Sequence, residues 1–260
     1  MSVRYPIGLG KTSTDSQRSG GSTVSSTTRE LSVSIIMPVH NEDPKVPVLL
    51  SSECRAAYGN VEVIIVDDGS RPAQPLATLR HPRNQGYGAA IKSGIAVAKN
   101  KWIVTMDGDG QHNIEDIARL YDYAVNSGLD MAIGDRRLNR IEGVRRLGTQ
   151  FMNILASAVT GVPISDLNCG LRVFRKDLAE RYQRLLSDGF SFTTTIVMVF
   201  LAEGHKVGWV PVNIKPRMSG CSKVRLLEDG VLTVCEIVRM GGRCRIRRLV
   251  HAIRRRINNT

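Results

Sequence analysis

Asp107-Gly108-Asp109-Gly110-Gln111 sets two carboxylates two positions apart around a glycine, with an amide side chain close behind. With no side chain between them, both acids can turn toward one hard divalent cation, and Gln111 adds a neutral oxygen. Mg2+ or Mn2+ held in this way normally keeps phosphate oxygens among its other ligands, so the guest implied is a metal-bridged diphosphate. A cation there stabilises the charge that develops on a departing nucleoside diphosphate. Turns also produce D-x-D. Here it ends an apolar run, Trp102 to Met106, and precedes a helical pattern, which turns a weak motif into an informative one.

Two earlier apolar runs end alike, in Pro38-Val39-His40-Asn41-Glu42 and in Val66-Asp67-Asp68-Gly69-Ser70. Asp and Gly can do this merely by making turns and capping the next helix. Three acidic endings in succession call for a cation or a donor, because an uncompensated buried charge is costly.

The elements that must carry these ends follow from periodicity. Val33 to Val39, Val61 to Val66, Trp102 to Met106 and Leu129 to Ile133 read as strands; Val46 to Ala57, Tyr87 to Lys99 and Ile114 to Ser127 read as helices. Such alternation predicts parallel strands with crossover helices, and ligands then bind beyond the carboxyl ends of the strands. Later come a helix over Arg145 to Gly161, a strand over Gly170 to Phe174, helices over Lys176 to Ser187 and Ser191 to Gly204, and a strand over His205 to Ile214. This second half is expected to form the acceptor side.

Composition narrows the classes. The 260 residues are 42% hydrophobic, enough for one sizeable α/β domain, and only 5% aromatic, which argues against stacking platforms for single-stranded nucleic acid. The net charge of +12 is concentrated: eight arginines and no acid lie between 237 and 260, leaving +4 elsewhere. Five scattered cysteines without a C-x-x-C pair fit a reducing compartment better than a disulfide framework. No secretory signal or membrane-spanning run is expected, and residues 1–30, rich in Ser, Thr, Gly and Arg, read as a flexible arm. Gly86-Tyr87-Gly88 lacks the third glycine and the placement of a dinucleotide fingerprint, and no P-loop motif is present.

Pro38 to Glu42, Asp67 to Ser70, Asn84 to Gly88, Asp107 to Gln111, Gly134-Asp135-Arg136 and Asp166 to Arg172 together resemble an inverting family 2 glycosyltransferase of GT-A fold, an α/β fold with a central, mostly parallel sheet flanked by helices. Within that family the chain is similar to the dolichyl-phosphate mannose synthases and related polyprenyl-phosphate glycosyltransferases. The resemblance implies a GT-A domain over residues 31–238. Pro38, His40, Glu42, Asp67 and Asp68 would surround the nucleoside of a donor of the GDP-mannose or UDP-glucose type, with Asp107 also on the nucleotide sugar. Asp107, Asp109 and Gln111 would hold Mg2+ or Mn2+. Asp109, Arg217 and Lys223 would serve the transfer, while Arg136, Arg145, Thr149 and Ser222 would face the acceptor phosphate. The family's aromatic after Pro-x is His40 here.

Chemistry favours a lipid phosphate as acceptor. A sugar hydroxyl needs a general base, whereas a phosphate monoester is already anionic at pH 7 and has only to be held against the anomeric carbon. Arg136, Arg145, Arg172, Arg217 and Lys223 supply cations in the second half, and no added acidic motif accompanies them. Residues 239–260 read as a basic amphipathic segment, with Ile246, Leu249, Val250, Ile253 and Ile257 on one face, suited to anionic lipid on the cytoplasmic side of a membrane. The alternatives are a saccharide or small-metabolite acceptor, and a non-catalytic relative that recruits a membrane partner. A nucleic-acid-binding protein would leave the acidic strand ends unexplained.

Overall fold

The computed structural model describes residues 29–136, 144–218 and 230–243, with the side chains of 144–146 outside that description. Seven strands form one sheet: β1 (Val33–Val39), β2 (Glu62–Asp67), β3 (Leu79–Arg80), β4 (Trp102–Thr105), β5 (Met131–Asp135), β6 (Arg172–Arg175) and β7 (Val207–Pro211), in the order β3-β2-β1-β4-β6-β5-β7. The helices are α1 (Lys45–Tyr58), α2 (Tyr87–Val97), α3 (Glu115–Asn126), α4 (Val144–Thr160), α5 (Lys176–Arg181) and α6 (Phe192–Ala202), followed by α7 at residues 230–243.

β1 and β2 are almost wholly buried because helices cover both faces of the sheet, and their near-continuous apolar sequences reflect this. Trp102, the register partner of Val33, meets the ring of Tyr121 edge-on, placing α3 on that face. Ile36 points to the other face, where Gly94 of α2 rests on it. The Tyr58 hydroxyl donates to the carbonyl of Ile114 and so ties α1 to the start of α3. On the α2 side, α5 and α6 pack against α2, and α4 packs against α6.

Most strand pairs are parallel, as the alternation predicts. β6 departs from it: it lies between β4 and β5 and runs antiparallel to both. The reason is local to the site edge. The Thr105 hydroxyl donates to the carbonyl of Gly170 at 2.7 Å, so the chain re-enters the sheet at the carboxyl end of β4 and must run back down. Two smaller differences have simple causes. β3 is two residues long, too short for a period. The helical pattern from Lys176 stops at Arg181, where Tyr182 turns its ring toward Phe200 and His205 before a 3-10 turn at Gln183–Leu185.

Gly94 sits where helix propensity and packing oppose each other. Alanine would favour α2 by about 1 kcal/mol, but its Cβ would lie 2.6 Å from Cγ2 of the fully buried Ile36. Overpacking of this kind costs about 1–3 kcal/mol, so Gly94→Ala should be net destabilising by about 1 kcal/mol in urea unfolding. A gain in stability would show that β1 gives way at Ile36.

Candidate active site

The residues from Asp107 to Asn113 leave β4 at the carboxyl edge of the sheet and are zipped to the segment that follows β7. Lys215 N–H donates to the Gln111 carbonyl (2.8 Å) and Met218 N–H to the Asp109 carbonyl (3.0 Å), His112 and Ile214 form an antiparallel bridge, and Asn113 Nδ2 donates to the Asn213 carbonyl (3.1 Å). This zipper delivers Arg217. Its Nη2 lies 2.9 Å from Asp109 Oδ2 and its Nη1 lies 3.9 Å from Glu42 Oε1, so one guanidinium links the acid after β4 to the acid after β1.

The two aspartates of the D-x-D live in different surroundings. Asp107 Oδ1 accepts from the Tyr87 hydroxyl at 3.0 Å, and His112 Nε2 lies 3.5 Å from Oδ2. Burial pushes this carboxyl up, but His112 and Tyr87 outweigh it and hold it below the usual carboxylate range. The close fit requires Gly170, where a Cβ would fall 2.3 Å from Asp107 Oδ2. Asp109 is raised, first by burial and then by the charge of Asp107, despite the Gln111 N–H at 3.0 Å and Arg217. Nδ1 of the buried His112 has no hydrogen-bond partner.

A hard divalent cation fits this donor set. The side chains on offer are two carboxylates and an amide oxygen, all hard ligands, and burial and the charge of Asp107 leave Asp109 favouring a positive neighbour, a place Arg217 takes in part. Among the described residues no group of three His, Cys, Asp or Glu side chains is arranged to hold a metal by itself, so such a cation would depend on phosphate oxygens for the rest of its shell.

On the side of β1 and β2, the expected nucleoside residues divide. Pro38 sits in β1 beside Val66, and His40 Nδ1 lies 2.8 Å from the Asp68 carbonyl. Asp67 and Asp68 bind their own chain: Asp67 accepts from Ser70 N–H (2.8 Å) and Gln74 N–H (3.1 Å), and Asp68 from Gln85 N–H and Gly86 N–H (both 2.8 Å). Asp68 also contacts His81 Nδ1 at 2.7 Å, whose Nε2 meets Ser93 Oγ at 2.9 Å. These acids gather the loops that floor the site. Gly69, at φ +73°, lets the loop pass: a Cβ there would lie 2.4 Å from the Arg83 backbone.

The acceptor side shows a similar division. Arg136 forks onto Asp166, Nε to Oδ2 at 2.7 Å and Nη2 to Oδ1 at 3.0 Å, while Asn168 N–H also donates to this carboxylate. Burial raises the Asp166 carboxyl, but Arg136 and these hydrogen bonds bring it below its ordinary value. Arg172, counted from sequence among the cations for the acceptor, is only 1% exposed and donates to the carbonyls of Cys169, Thr193 and Leu167. Lys92 of α2 pairs with Asp188 and donates to the Leu186 carbonyl. Thr149 is half-buried on α4. The side chain of Arg145, together with Ser222 and Lys223, lies outside the described residues.

Tyr87, His112, Asp166 and Gly170 are absent from the residues assigned roles on sequence, yet they set the posture of Asp107 and Arg136. Their contacts span from 5 to 65 positions along the chain, where spacing carries no signal; only their membership in the ordered motifs could have pointed to them.

Asp166→Asn should cost about 3 kcal/mol at pH 7, because it leaves the buried Arg136 without its counter-charge. A carboxyl depressed in the folded state stabilises above its unfolded pKa of about 3.9 and loses that contribution as pH falls through the folded value. The gap in urea stability between wild type and variant should therefore hold from pH 7 to about pH 4 and shrink below it. A gap independent of pH would assign the effect to shape alone.

Comparison with known proteins places this geometry. A profile of glycosyl transferase family 2 matches residues 34–183. An uncharacterized protein of Methanocaldococcus jannaschii is 29% identical over 194 residues, covering 68% of this chain and 79% of that protein. The undecaprenyl-phosphate 4-deoxy-4-formamido-L-arabinose transferase of Pseudomonas savastanoi pv. phaseolicola is 32% identical over 197 residues, 66% of this chain but 58% of that enzyme, so the chain spans under two thirds of its length. Among solved structures, glucosyl-3-phosphoglycerate synthase from Mycobacterium tuberculosis in complex with Mn2+, UDP and glucosyl-3-phosphoglycerate superposes with a TM-score of 0.63 at 13% identity, covering 88% of this chain and 87% of that one. The same enzyme with Mg2+ and UDP superposes with a TM-score of 0.57. The shared fold is the GT-A fold expected from the sequence.

Proposed function

The chain belongs to glycosyl transferase family 2, and on that premise we propose that it transfers one hexose, with inversion, from a nucleoside diphosphate sugar to a polyprenyl phosphate at a membrane surface. The observation that carries this reading is the gathering of Asp107, Asp109, Glu42 and Arg217 at the carboxyl ends of β1 and β4. A site with three carboxylates and one guanidinium held between two of them suits a diphosphate accompanied by a cation. The names of relatives such as the Pseudomonas enzyme support a polyprenyl phosphate as acceptor.

In this reading Asp107, Asp109 and Gln111 hold Mg2+ or Mn2+, which when bound stabilises the charge on the departing diphosphate. Pro38, His40 and Glu42 line the nucleoside pocket, on the floor that Asp67 and Asp68 tie together. Arg217 exchanges its hold on Asp109 for a phosphate of donor or acceptor. The resemblance adds Lys223 and Ser222, a few positions on in sequence, and gives Arg136, Arg145 and Thr149 to the acceptor phosphate.

The bond made joins an acceptor phosphate oxygen to the anomeric carbon, and the bond broken releases the nucleoside diphosphate from the opposite face of the sugar. The attacking oxygen is already anionic, so no residue has to remove a proton. Positioning by cationic side chains then does most of the work. No helix among the described residues is long and apolar enough to cross a membrane; contact with the acceptor is proposed to occur at the bilayer surface.

The test is transfer of radiolabel from a panel of UDP and GDP sugars, with Mn2+ or Mg2+, to undecaprenyl or dolichyl phosphate. Label is expected in the organic phase only when lipid phosphate is present. Asp109→Asn should lower turnover by at least about a hundredfold while its thermal midpoint stays within a few degrees of wild type. Label that moves instead to a saccharide or small metabolite would replace the lipid acceptor, and retained turnover in the variant would sink the role given to Asp109.

A further inference from the structure

We infer that the outward faces of α4 and α7 form one landing surface for an anionic lipid bilayer, an inference that rests on the lipid-phosphate reading and adds to it the residues that touch lipid. α4 already packs through one side, where Asn153 and Ala156 are buried. Its opposite side carries Leu147, Phe151 and Ile154, which are 68%, 59% and 69% exposed. Steps of four and three residues put these three in a single row along the helix.

α7 repeats the arrangement. Thr233, Ile237 and Met240 face the protein, and Val231, Leu232 and Val238 are about 60% exposed. The two helices touch: a Cβ at Gly241 would lie 2.4 Å from Val159 Cγ1, so the backbone of α7 rests on a side chain near the end of α4. Six large apolar side chains therefore stand outward on two adjoining helices. Single exposed apolar residues are ordinary on a soluble surface; a set gathered like this marks an interaction site.

The charge around the set identifies the occupant. Arg239 and Arg243 are exposed on α7, with Glu236 paired to Arg239 at 2.6 Å. Arg145 and Arg146 occupy the first turn of α4 in sequence, and residues 244–260 add six arginines without an acid. A second copy of the chain would bring like charges together, whereas anionic headgroups complement the basic rim while acyl chains receive the apolar rows. Placement agrees, because Asn153 of α4 donates to the Ser165 carbonyl and accepts from Leu167 N–H on either side of Asp166, so lipid lying on α4 would sit near the Arg136–Asp166 pair.

Flotation of the full chain with phosphatidylcholine vesicles, with and without phosphatidylglycerol, tests this. Wild type should float with the anionic vesicles, and the double variant Phe151→Glu, Ile154→Glu should bind at least about tenfold more weakly although every arginine remains. Its transfer to a short, water-soluble prenyl phosphate should be unchanged, which separates lipid docking from catalysis. As a second readout, Phe151→Trp should gain a blue-shifted emission component on addition of anionic vesicles. Equal flotation of wild type and the double variant would overturn the inference, as would a wild-type dimer that the double variant dissociates. Lipid binding that depends on Phe151 and Ile154 without transfer to any prenyl phosphate would uphold the surface and overturn the proposed function instead.

Discussion

Two carboxylates separated by one glycine are crowded at the end of a buried strand, and burial together with their repulsion sets what this edge of the protein must supply. Asp107 is relieved by hydrogen bonding, with Tyr87 from α2 on one oxygen and His112 near the other, while Gly170 presses its bare backbone against the group. Asp109 keeps the unrelieved share. Burial and the charge of Asp107 raise its carboxyl, and among the described residues Gln111 N–H, His112 and the Arg217 guanidinium, the last reached through a zipper of backbone bonds from the far end of β7, answer this in part.

Acids elsewhere at the carboxyl edge are used in a different way. Asp67, Asp68 and Asp166 are almost fully buried, and each accepts main-chain N–H groups from a loop that would otherwise have to satisfy them in water. Charged acceptors make stronger hydrogen bonds than neutral ones, so a few carboxylates hold a large stretch of irregular backbone in place. The loops at the carboxyl edge are thereby tied to the sheet behind them. Acidic residues at this edge thus fall into two populations, those gathered by several main-chain N–H groups and those, Asp107 and Asp109, met chiefly by side chains from other elements.

Much of this was legible in the sequence. The runs around β1, β2, β4 and β5 were long and apolar enough to show their period, and their endings pointed to the edge where the acids gather. What sequence could not separate was the two populations of acid, because Asp68 and Asp109 look alike until the N–H groups of Gln85 and Gly86 are seen to converge on one of them. Arginines posed the same difficulty: Arg172 and Arg217 both stood in matched motifs, yet one is sealed by three carbonyls and the other bridges two acids. The direction of β6 was equally hidden, since strand polarity depends on where a distant loop docks.

That docking has a bearing on how the molecule is made. β4 has β1 on one side and β6 on the other, and β6 begins 67 residues after β4 ends. While the chain emerges from the ribosome, β4 therefore waits with an open edge and an incomplete cradle around Asp107 until Gly170 arrives. Gly170 closes the cradle of Asp107 from a distant stretch of chain, so a truncated product would carry an adhesive strand edge and an unfinished Asp107 pocket together.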